Sequence, residues 1–159
     1  LSGAILKVGV FVNEELDTIK YIIRSCGLDM VQLHGDETPE LLAEIELPVI
    51  KAFSVTGPVD PDYVRRWRPF AYLFDTAING SSGGSGRSFN WDYLQAVQDW
   101  PNLILAGGLN SDNVAVAIRR LRPMAVDVSS GVELTGGGKD PLKIEQFMQQ
   151  VKTAEYNQG

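Results

Sequence analysis

The stretch LILAGGLNSDNVAVAIRRLRPMAVDVSSGV, residues 103–132, decides the fold class. An apolar run at 103–106 ends in two glycines, and residues 111–121 then repeat apolar side chains at spacings of three and four. The first pattern predicts a strand and the second a helix. Another apolar run at 125–128 ends in Ser-Ser-Gly. A strand, a helix and a second strand in this order predict a parallel α/β sheet.

The same alternation extends outward along the rest of the chain. The six predicted strands begin about 23 residues apart on average, which is the length of one βα unit. The predicted strands lie at 5–12, 30–33, 49–53, 71–74, 103–106 and 125–128, and the predicted helices at 14–25, 39–45, 60–67, 91–97, 111–121 and 140–151. Since no linker interrupts the pattern, we predict one domain over residues 1–152 and a polar tail at 153–159.

Two architectures agree with six βα units. One is an open, doubly wound sheet, and the other is a (β/α)8 TIM barrel of which six of eight units are present. An eight-unit barrel needs roughly 200 residues, and two further units of about 23 residues would bring the 159 residues to about 205. The arithmetic leaves both architectures open.

Composition and charge exclude several classes of function. The net charge of −6 argues against a nucleic-acid groove or an anionic membrane as the main partner, because both need basic clusters. The single cysteine, Cys26, excludes a disulfide framework and a Cys-based zinc site, and the single histidine, His34, excludes a His-rich metal site. No apolar run approaches the ~20 residues of a membrane span. These observations leave a small ligand as the expected partner.

Functional groups are expected at the carboxyl ends of the strands in either architecture. Two successive predicted strands end in small residues there, at Gly107-Gly108 and at Ser130-Gly131. Small residues let a ligand approach backbone N–H groups, and phosphates bind such groups where helices begin. We therefore predict a phosphate site. The alternative is a pair of tight βα turns without a ligand.

Two aspartates occur near predicted strand ends. Asp75 follows the strand at 71–74, where it could act as a general acid or base. Its alternative role is to orient the loop by a hydrogen bond to Thr76. Asp127 lies inside the run at 125–128, where a buried carboxylate needs a partner. That partner is either a ligand hydroxyl or Lys51.

Three further residues are candidates for a functional or a structural role. His34 follows a strand and either shuttles protons or forms only a structural hydrogen bond. Arg87 lies in the Gly/Ser-rich segment at 79–88 and is a candidate anion contact on a substrate loop, unless that segment is a simple connector. Cys26 lies at the carboxyl end of a predicted helix, where the helix dipole disfavours a thiolate, so we predict a structural role for it.

Seven segments together resemble the phosphoribosylanthranilate isomerase family, in the order in which that family has them. Each segment alone is a weak signal, but seven in register are specific, and they cover essentially the whole chain. The segments are VGVFVN (8–13), VQLHGDE (31–37), IKAF (50–53), LFDT (73–76), GGSGRSFNW (83–91), LAGGLN (105–110) and DVSSGVE (127–133).

The resemblance implies a (β/α)8 barrel enzyme of tryptophan biosynthesis. Such an enzyme is a cytoplasmic aldose–ketose isomerase that converts N-(5-phosphoribosyl)anthranilate by an Amadori rearrangement, without cofactor or metal. The resemblance implies that Asp75 protonates the furanose ring oxygen and that the substrate contacts Asp127, His34 and Arg87. It implies that the phosphate is held by backbone amides around four residues, namely Gly107, Gly108, Ser130 and Gly131.

The resemblance begins at the third strand of the family pattern. The family's first strand, Lys-Ile-Cys-Gly, carries the cysteine that acts as general base, and Cys26 does not replace it because Cys26 precedes a strand. We therefore expect the isolated chain to be inactive and to self-associate through exposed edges at its first and last strands.

Two other functions remain alternatives. One is a non-catalytic phosphate-binding or interaction module on a partial barrel. The other is a different phosphate-binding barrel enzyme, such as a histidine-pathway isomerase, which works with two aspartates between paired phosphate sites. The single Asp75 and the segment at 83–91 disfavour the second of these.

Overall fold

A computed structural model describes residues 5–76 and 88–156 of the chain. Strands and helices alternate through these residues, as the sequence predicts. The strands are β1 (Val8–Phe11), β2 (Met30–Leu33), β3 (Val49–Val55), β4 (Ala71–Thr76), β5 (Leu103–Leu105) and β6 (Ala125–Val126). The helices are α1 (Leu16–Cys26), α2 (Pro39–Ala43), α3 (Pro61–Val64), α4 (Val114–Leu121) and α5 (Pro141–Tyr156), with 3₁₀ turns at Arg65–Trp67, Trp91–Leu94 and Ser130–Val132.

The strand order distinguishes the two predicted architectures. The sheet runs β1-β2-β3-β4-β5-β6, and β1 pairs with β2, β2 with β3 and β5 with β6 in parallel. A doubly wound sheet reverses its strand order at a switch point, whereas successive units of a barrel pair in chain order. The observed order is that of consecutive barrel units.

The chain forms two compact units, each with its own apolar core. Unit 1 comprises residues 1–53 and 60–73, and unit 2 comprises residues 54–59 and 74–159. Side chains of β1, β2 and α1 build the core of unit 1, where Ile19, Val31 and Leu33 are buried. The core of unit 2 contains Phe74, Leu94, Leu103, Leu105 and Val114, all fully buried. The single domain over residues 1–152 stays a prediction.

The helices predicted at 91–97 and 111–121 illustrate how the observed elements differ from their predicted ranges. The helix predicted at 91–97 is only a 3₁₀ turn at Trp91–Leu94, because its N–H groups bond three residues back, as from Val97 to the Leu94 carbonyl. The helix predicted at 111–121 begins at Val114, because the Asn113 side chain accepts a hydrogen bond from the Asn110 N–H (2.9 Å) and holds the preceding turn.

The last helix is longer and more exposed than its pattern indicates. It continues to Tyr156, five residues beyond the predicted end at 151, and Ala154 is buried. Phe147 is buried, whereas Ile144 and Met148, which a helical repeat would place on the same face, are 40% and 37% exposed. In the part of the chain that the structure describes, no helix combines the length and apolar character needed to cross a membrane.

Candidate functional site at the strand ends

The Asp75 carboxylate lies beside the glycine that follows the next strand. Asp75 is half-buried near the end of β4, and its Oδ1 accepts a hydrogen bond from the Thr76 N–H at 2.6 Å. Gly107 follows β5 with a φ of 84°, and a Cβ there would lie 2.8 Å from Asp75 Oδ1 and against the Thr76 amide nitrogen and hydroxyl. A side chain at position 107 would therefore displace the carboxylate.

The hydrogen bond to Thr76 matches the loop-orienting role considered for Asp75. It also holds the carboxylate in one orientation, which a proton donor to a bound ligand requires. The Thr76 hydroxyl itself is buried and has no hydrogen-bond partner among the described residues. The end of β4 thus presents a fixed carboxylate next to an unsatisfied hydroxyl.

The turn after β5 is shaped by two glycines with positive φ. The φ of Gly107 is 84° and that of Gly108 is 63°, a region that L side chains rarely adopt. The Asn113 side chain donates to the Gly108 carbonyl at 2.9 Å, which holds the turn closed onto the start of α4. This turn is part of the predicted phosphate site.

The turn after β6 packs directly on the turn after β5. Ser130 begins a 3₁₀ turn at Ser130–Val132. A Cβ at Gly131 would overlap the Leu109 carbonyl oxygen and lie 3.2 Å from Asn110 Cα. The structure therefore brings the two small-residue turns together, as the phosphate hypothesis requires, and only glycine fits where they meet.

The prediction that Asp127 lies buried inside a strand is wrong. The last strand ends at Val126, and Asp127 is exposed beyond it, with its N–H donating to the Leu105 carbonyl at 2.8 Å. Lys51, its suggested partner, instead pairs with Glu37 in unit 1. Exposure leaves the Asp127 carboxylate accessible to a ligand hydroxyl.

Sequence reasoning missed a lysine that supports the turn after β6. Lys139 Nζ donates to the Ser129 carbonyl at 2.9 Å and to Glu133 Oε1 at 2.7 Å. The hydrogen bond and positive charge of Lys139 lower the pKa of the Glu133 carboxyl. The Lys-Asp pair at 139–140 before the last helix was the available signal, but it does not by itself reveal which turn the lysine holds.

The remaining predicted residues lie in other places. His34 follows β2 in unit 1, half-buried, with its N–H donating to the Phe11 carbonyl at 2.8 Å and its Nδ1 3.3 Å from Gln32 Nε2. Arg87 falls outside the described residues. Cys26 is exposed at the end of α1, before the αL residue Gly27, and its structural role stays a prediction. No cluster of metal-ligating side chains occurs within residues 5–76 and 88–156.

Sequence reasoning also missed a buried ion pair at the strand ends of unit 1. Lys51 Nζ lies 3.0 Å from Glu37 Oε2, and the two residues are 2% and 5% exposed. Burial alone would raise the pKa of the Glu37 carboxyl, but the hydrogen bonds from the Asn13 N–H and from Lys51 outweigh it and hold that pKa below its usual range. The Glu37 carboxylate is therefore ionised at neutral pH.

Comparison with known proteins gives one consistent family. A profile described as N-(5'phosphoribosyl)anthranilate (PRA) isomerase matches residues 2–150. The N-(5'-phosphoribosyl)anthranilate isomerase of Syntrophomonas wolfei is 55% identical over 148 residues, which are 93% of this chain and 72% of that protein.

Solved structures show the same likeness in three dimensions. The phosphoribosyl anthranilate isomerase of Thermotoga maritima is 41% identical with a TM-score of 0.84, over 96% of this chain and 76% of that one. A second structure, of the isomerase in complex with reduced 1-(o-carboxyphenylamino)-1-deoxyribulose 5-phosphate, is 39% identical with a TM-score of 0.81, over 96% of this chain and 74% of that one. These likenesses confirm the predicted partial (β/α)8 barrel.

Proposed function

Because this chain belongs to the N-(5'-phosphoribosyl)anthranilate isomerase family, we propose that Asp75 is the proton donor of this isomerase and that the turns after β5 and β6 hold the substrate phosphate. The observation that carries the proposal is the placement of the Asp75 carboxylate against Gly107. The Asp75 carboxylate at the end of β4 therefore lies next to Gly107, the first residue of the proposed phosphate turn.

The proposed reaction is an Amadori rearrangement in which Asp75 acts first. Asp75 donates a proton to the furanose ring oxygen, the C1′–O bond breaks, and the anthranilate nitrogen forms a C=N bond to C1′. A base then removes the C2′ proton, and the resulting enolamine becomes a ketone as C1′ takes up a proton. In the family the base is a cysteine of the first strand. Cys26 does not take this role, because it lies at the end of α1.

The substrate proposed for this chain is a small phosphorylated sugar–anthranilate. A relative of known structure binds reduced 1-(o-carboxyphenylamino)-1-deoxyribulose 5-phosphate, which supports this class of ligand. Exposed Asp127 is proposed to bond sugar hydroxyls, and His34 and Arg87 are proposed as further substrate contacts. We also propose the cytoplasm as the compartment, since the exposed thiol of Cys26 suits reducing surroundings.

The first testable prediction concerns binding of inorganic phosphate at the proposed phosphate site. Inorganic phosphate is expected to raise the melting temperature of the chain, because a ligand that binds only the folded state stabilises it by mass action. Gly108→Asp places a negative charge and a strained side chain in the turn, and it is expected to abolish this shift. The measurement is a thermal melt of each variant with and without phosphate.

Gly108→Ala is the matched control for the phosphate experiment. It has the same positive φ and therefore similar backbone strain, but it adds no charge. We expect it to lower the melting temperature while keeping part of the phosphate-dependent shift. A full shift in Gly108→Asp would place the phosphate elsewhere.

Self-association of the 159-residue chain is the second prediction. The strand β1 stands at one end of the strand order, and Val8 and Val10 on it are 39% and 59% exposed. Unpaired backbone groups beside apolar side chains invite pairing with another chain. We expect sedimentation at micromolar concentration to show dimers or larger species. Val10→Lys is expected to shift them toward monomer, and a monomeric wild-type chain would contradict the edge argument.

A further inference from the structure

One buried ion pair in unit 1 has no role in the proposed chemistry. Lys51 and Glu37 lie where β2 and β3 end, almost completely buried. Burying two charges carries a large desolvation cost, and an apolar pair of similar volume is often as stable or more so. Stability alone therefore gives no reason for an ion pair at this place.

The pair holds both polar groups of a single residue, Gly35. The Gly35 N–H donates to both carboxylate oxygens of Glu37, at 3.1 Å and 2.9 Å, and the Gly35 carbonyl accepts from Lys51 Nζ at 2.7 Å. Gly35 itself leaves no room for a side chain, because a Cβ there would lie 2.7 Å from Asn13 Cγ. The path of the chain at Gly35 is thus fixed by charge on one side and by close packing on the other.

The same carboxylate ties the loop after β1 to the loop after β2. The Asn13 N–H donates to Glu37 Oε1 at 2.9 Å, and Asn13 Oδ1 accepts from the Asp36 N–H at 2.7 Å. The Trp67 ring nitrogen donates to the Glu37 carbonyl at 2.9 Å and holds the carboxylate-bearing residue from a third element. Glu37 is therefore the centre of a network that leaves little freedom to either loop.

This network also fixes the backbone beside His34. His34 directly precedes Gly35, and its own N–H is held by the Phe11 carbonyl. The backbone at His34 is thus held by its own N–H and by both polar groups of Gly35, and its ring Nδ1 lies 3.3 Å from Gln32 Nε2.

We propose that Lys51 and Glu37 form a positioning pair for His34: they fix the backbone that carries this residue and do not touch the ligand themselves. This inference rests on the proposed function, in which His34 contacts the substrate. It predicts that removal of the pair weakens binding of an anthranilate-bearing ligand but spares binding of inorganic phosphate, whose proposed residues all belong to unit 2.

The test uses the 159-residue chain and the double variant Glu37→Gln/Lys51→Met, which removes both charges together so that no unpaired charge stays buried. His34 is the single histidine, so its imidazole signal in a proton NMR spectrum needs no assignment. We expect this signal to shift in the double variant. We expect the affinity for reduced 1-(o-carboxyphenylamino)-1-deoxyribulose 5-phosphate to fall about tenfold, the loss that accompanies one misplaced hydrogen bond.

The matched control is Asp62→Asn/Arg65→Gln, which neutralises an exposed ion pair of unit 1. It is expected to leave the histidine signal, the ligand affinity and the phosphate-dependent melting shift unchanged. An unshifted histidine signal in the double variant, or a loss of phosphate binding equal to the loss of ligand binding, would overturn the inference.

His34→Ala separates the inference from the function on which it rests. If this variant binds the ligand as tightly as the wild type does, the proposed contact with His34 is wrong and the inference falls with it. If it binds more weakly but the double variant does not, the contact stands and only the positioning role of Lys51 and Glu37 is overturned.

Discussion

Replacement of Asp75 with asparagine is expected to lower turnover by about 10²–10⁴-fold, the usual contribution of a general acid. An amide has the size of the carboxylic acid and keeps an oxygen that can accept from the Thr76 N–H, so the end of β4 should keep its geometry. It cannot give a proton to the ring oxygen. The loss should therefore appear in kcat, with the affinity for inorganic phosphate retained.

The experiment needs a chain that contains the general base. A chimera in which the two βα units expected before β1 are supplied by the Syntrophomonas wolfei relative provides it, since that protein shares 55% of its residues with this chain over the matched region. Turnover is followed as formation of the carboxyphenylamino-deoxyribulose phosphate. The 159-residue chain without the added units serves as the reference.

Asp99→Asn is the matched control, because it removes the same charge from an exposed residue of unit 2. It should turn over like the parent chimera. Turnover close to that of the parent in Asp75→Asn would reduce Asp75 to the loop-orienting residue that its hydrogen bond to Thr76 also allows.

Sequence patterns predicted most of the fold because each βα unit repeats a local signal. Thr38 and Pro39 show such a signal, since the Thr38 hydroxyl accepts from the Leu41 N–H and the proline occupies the first turn of α2, where a Thr-Pro pair favours the start of a helix. The small residues at 107–108 and 130–131 are predictable from the same kind of local signal. An apolar run predicts each strand and its end, and small residues after that end indicate a turn or a close approach of a ligand.

The missed features depend on contacts between distant segments. A lysine inside the apolar run at 50–53 indicates a buried partner, but the sequence offers several acids. The suggested partner was Asp127, whereas the structure pairs Lys51 with Glu37. The register decides it: Leu33 of β2 pairs with Lys51 of β3, which puts the lysine beside the loop that carries Glu37. Register and burial are properties of the assembled sheet, and neither can be read from a single strand.

Replacement of Lys51 with methionine is expected to have the largest effect on stability. Methionine fills a similar volume but leaves the Glu37 carboxylate buried without its counter-charge, and loss of one partner of a buried pair costs about 3–5 kcal/mol. The Gly35 carbonyl also loses its 2.7 Å donor. Chemical denaturation at neutral pH should measure this cost as a lower free energy of unfolding.

The pH dependence of this cost identifies its origin. In the wild type the pKa of Glu37 lies below its ordinary value of 4.5, so its contribution to stability is full above that pH and is lost as the pH falls through the folded pKa. In Lys51→Met the lysine no longer offsets the effect of burial, so the pKa of Glu37 in the folded variant rises. As the pH falls, Glu37 becomes protonated and the variant no longer carries the cost of a buried, unpaired charge. The difference in unfolding free energy between wild type and variant should therefore shrink between neutral pH and pH values below 4.5.

The double variant Glu37→Gln/Lys51→Met completes the comparison. It has no charge to bury, so it should recover much of the stability lost in Lys51→Met. Its deficit relative to the wild type should stay constant from neutral pH down to 4.5, a range in which the deficit of Lys51→Met already shrinks, and should fall only below 4.5, where the wild type loses the contribution of Glu37. A cost that is independent of pH in Lys51→Met, or equal in the single and double variants, would mean that the lysine stabilises this loop by packing its methylene groups and that its charge contributes little.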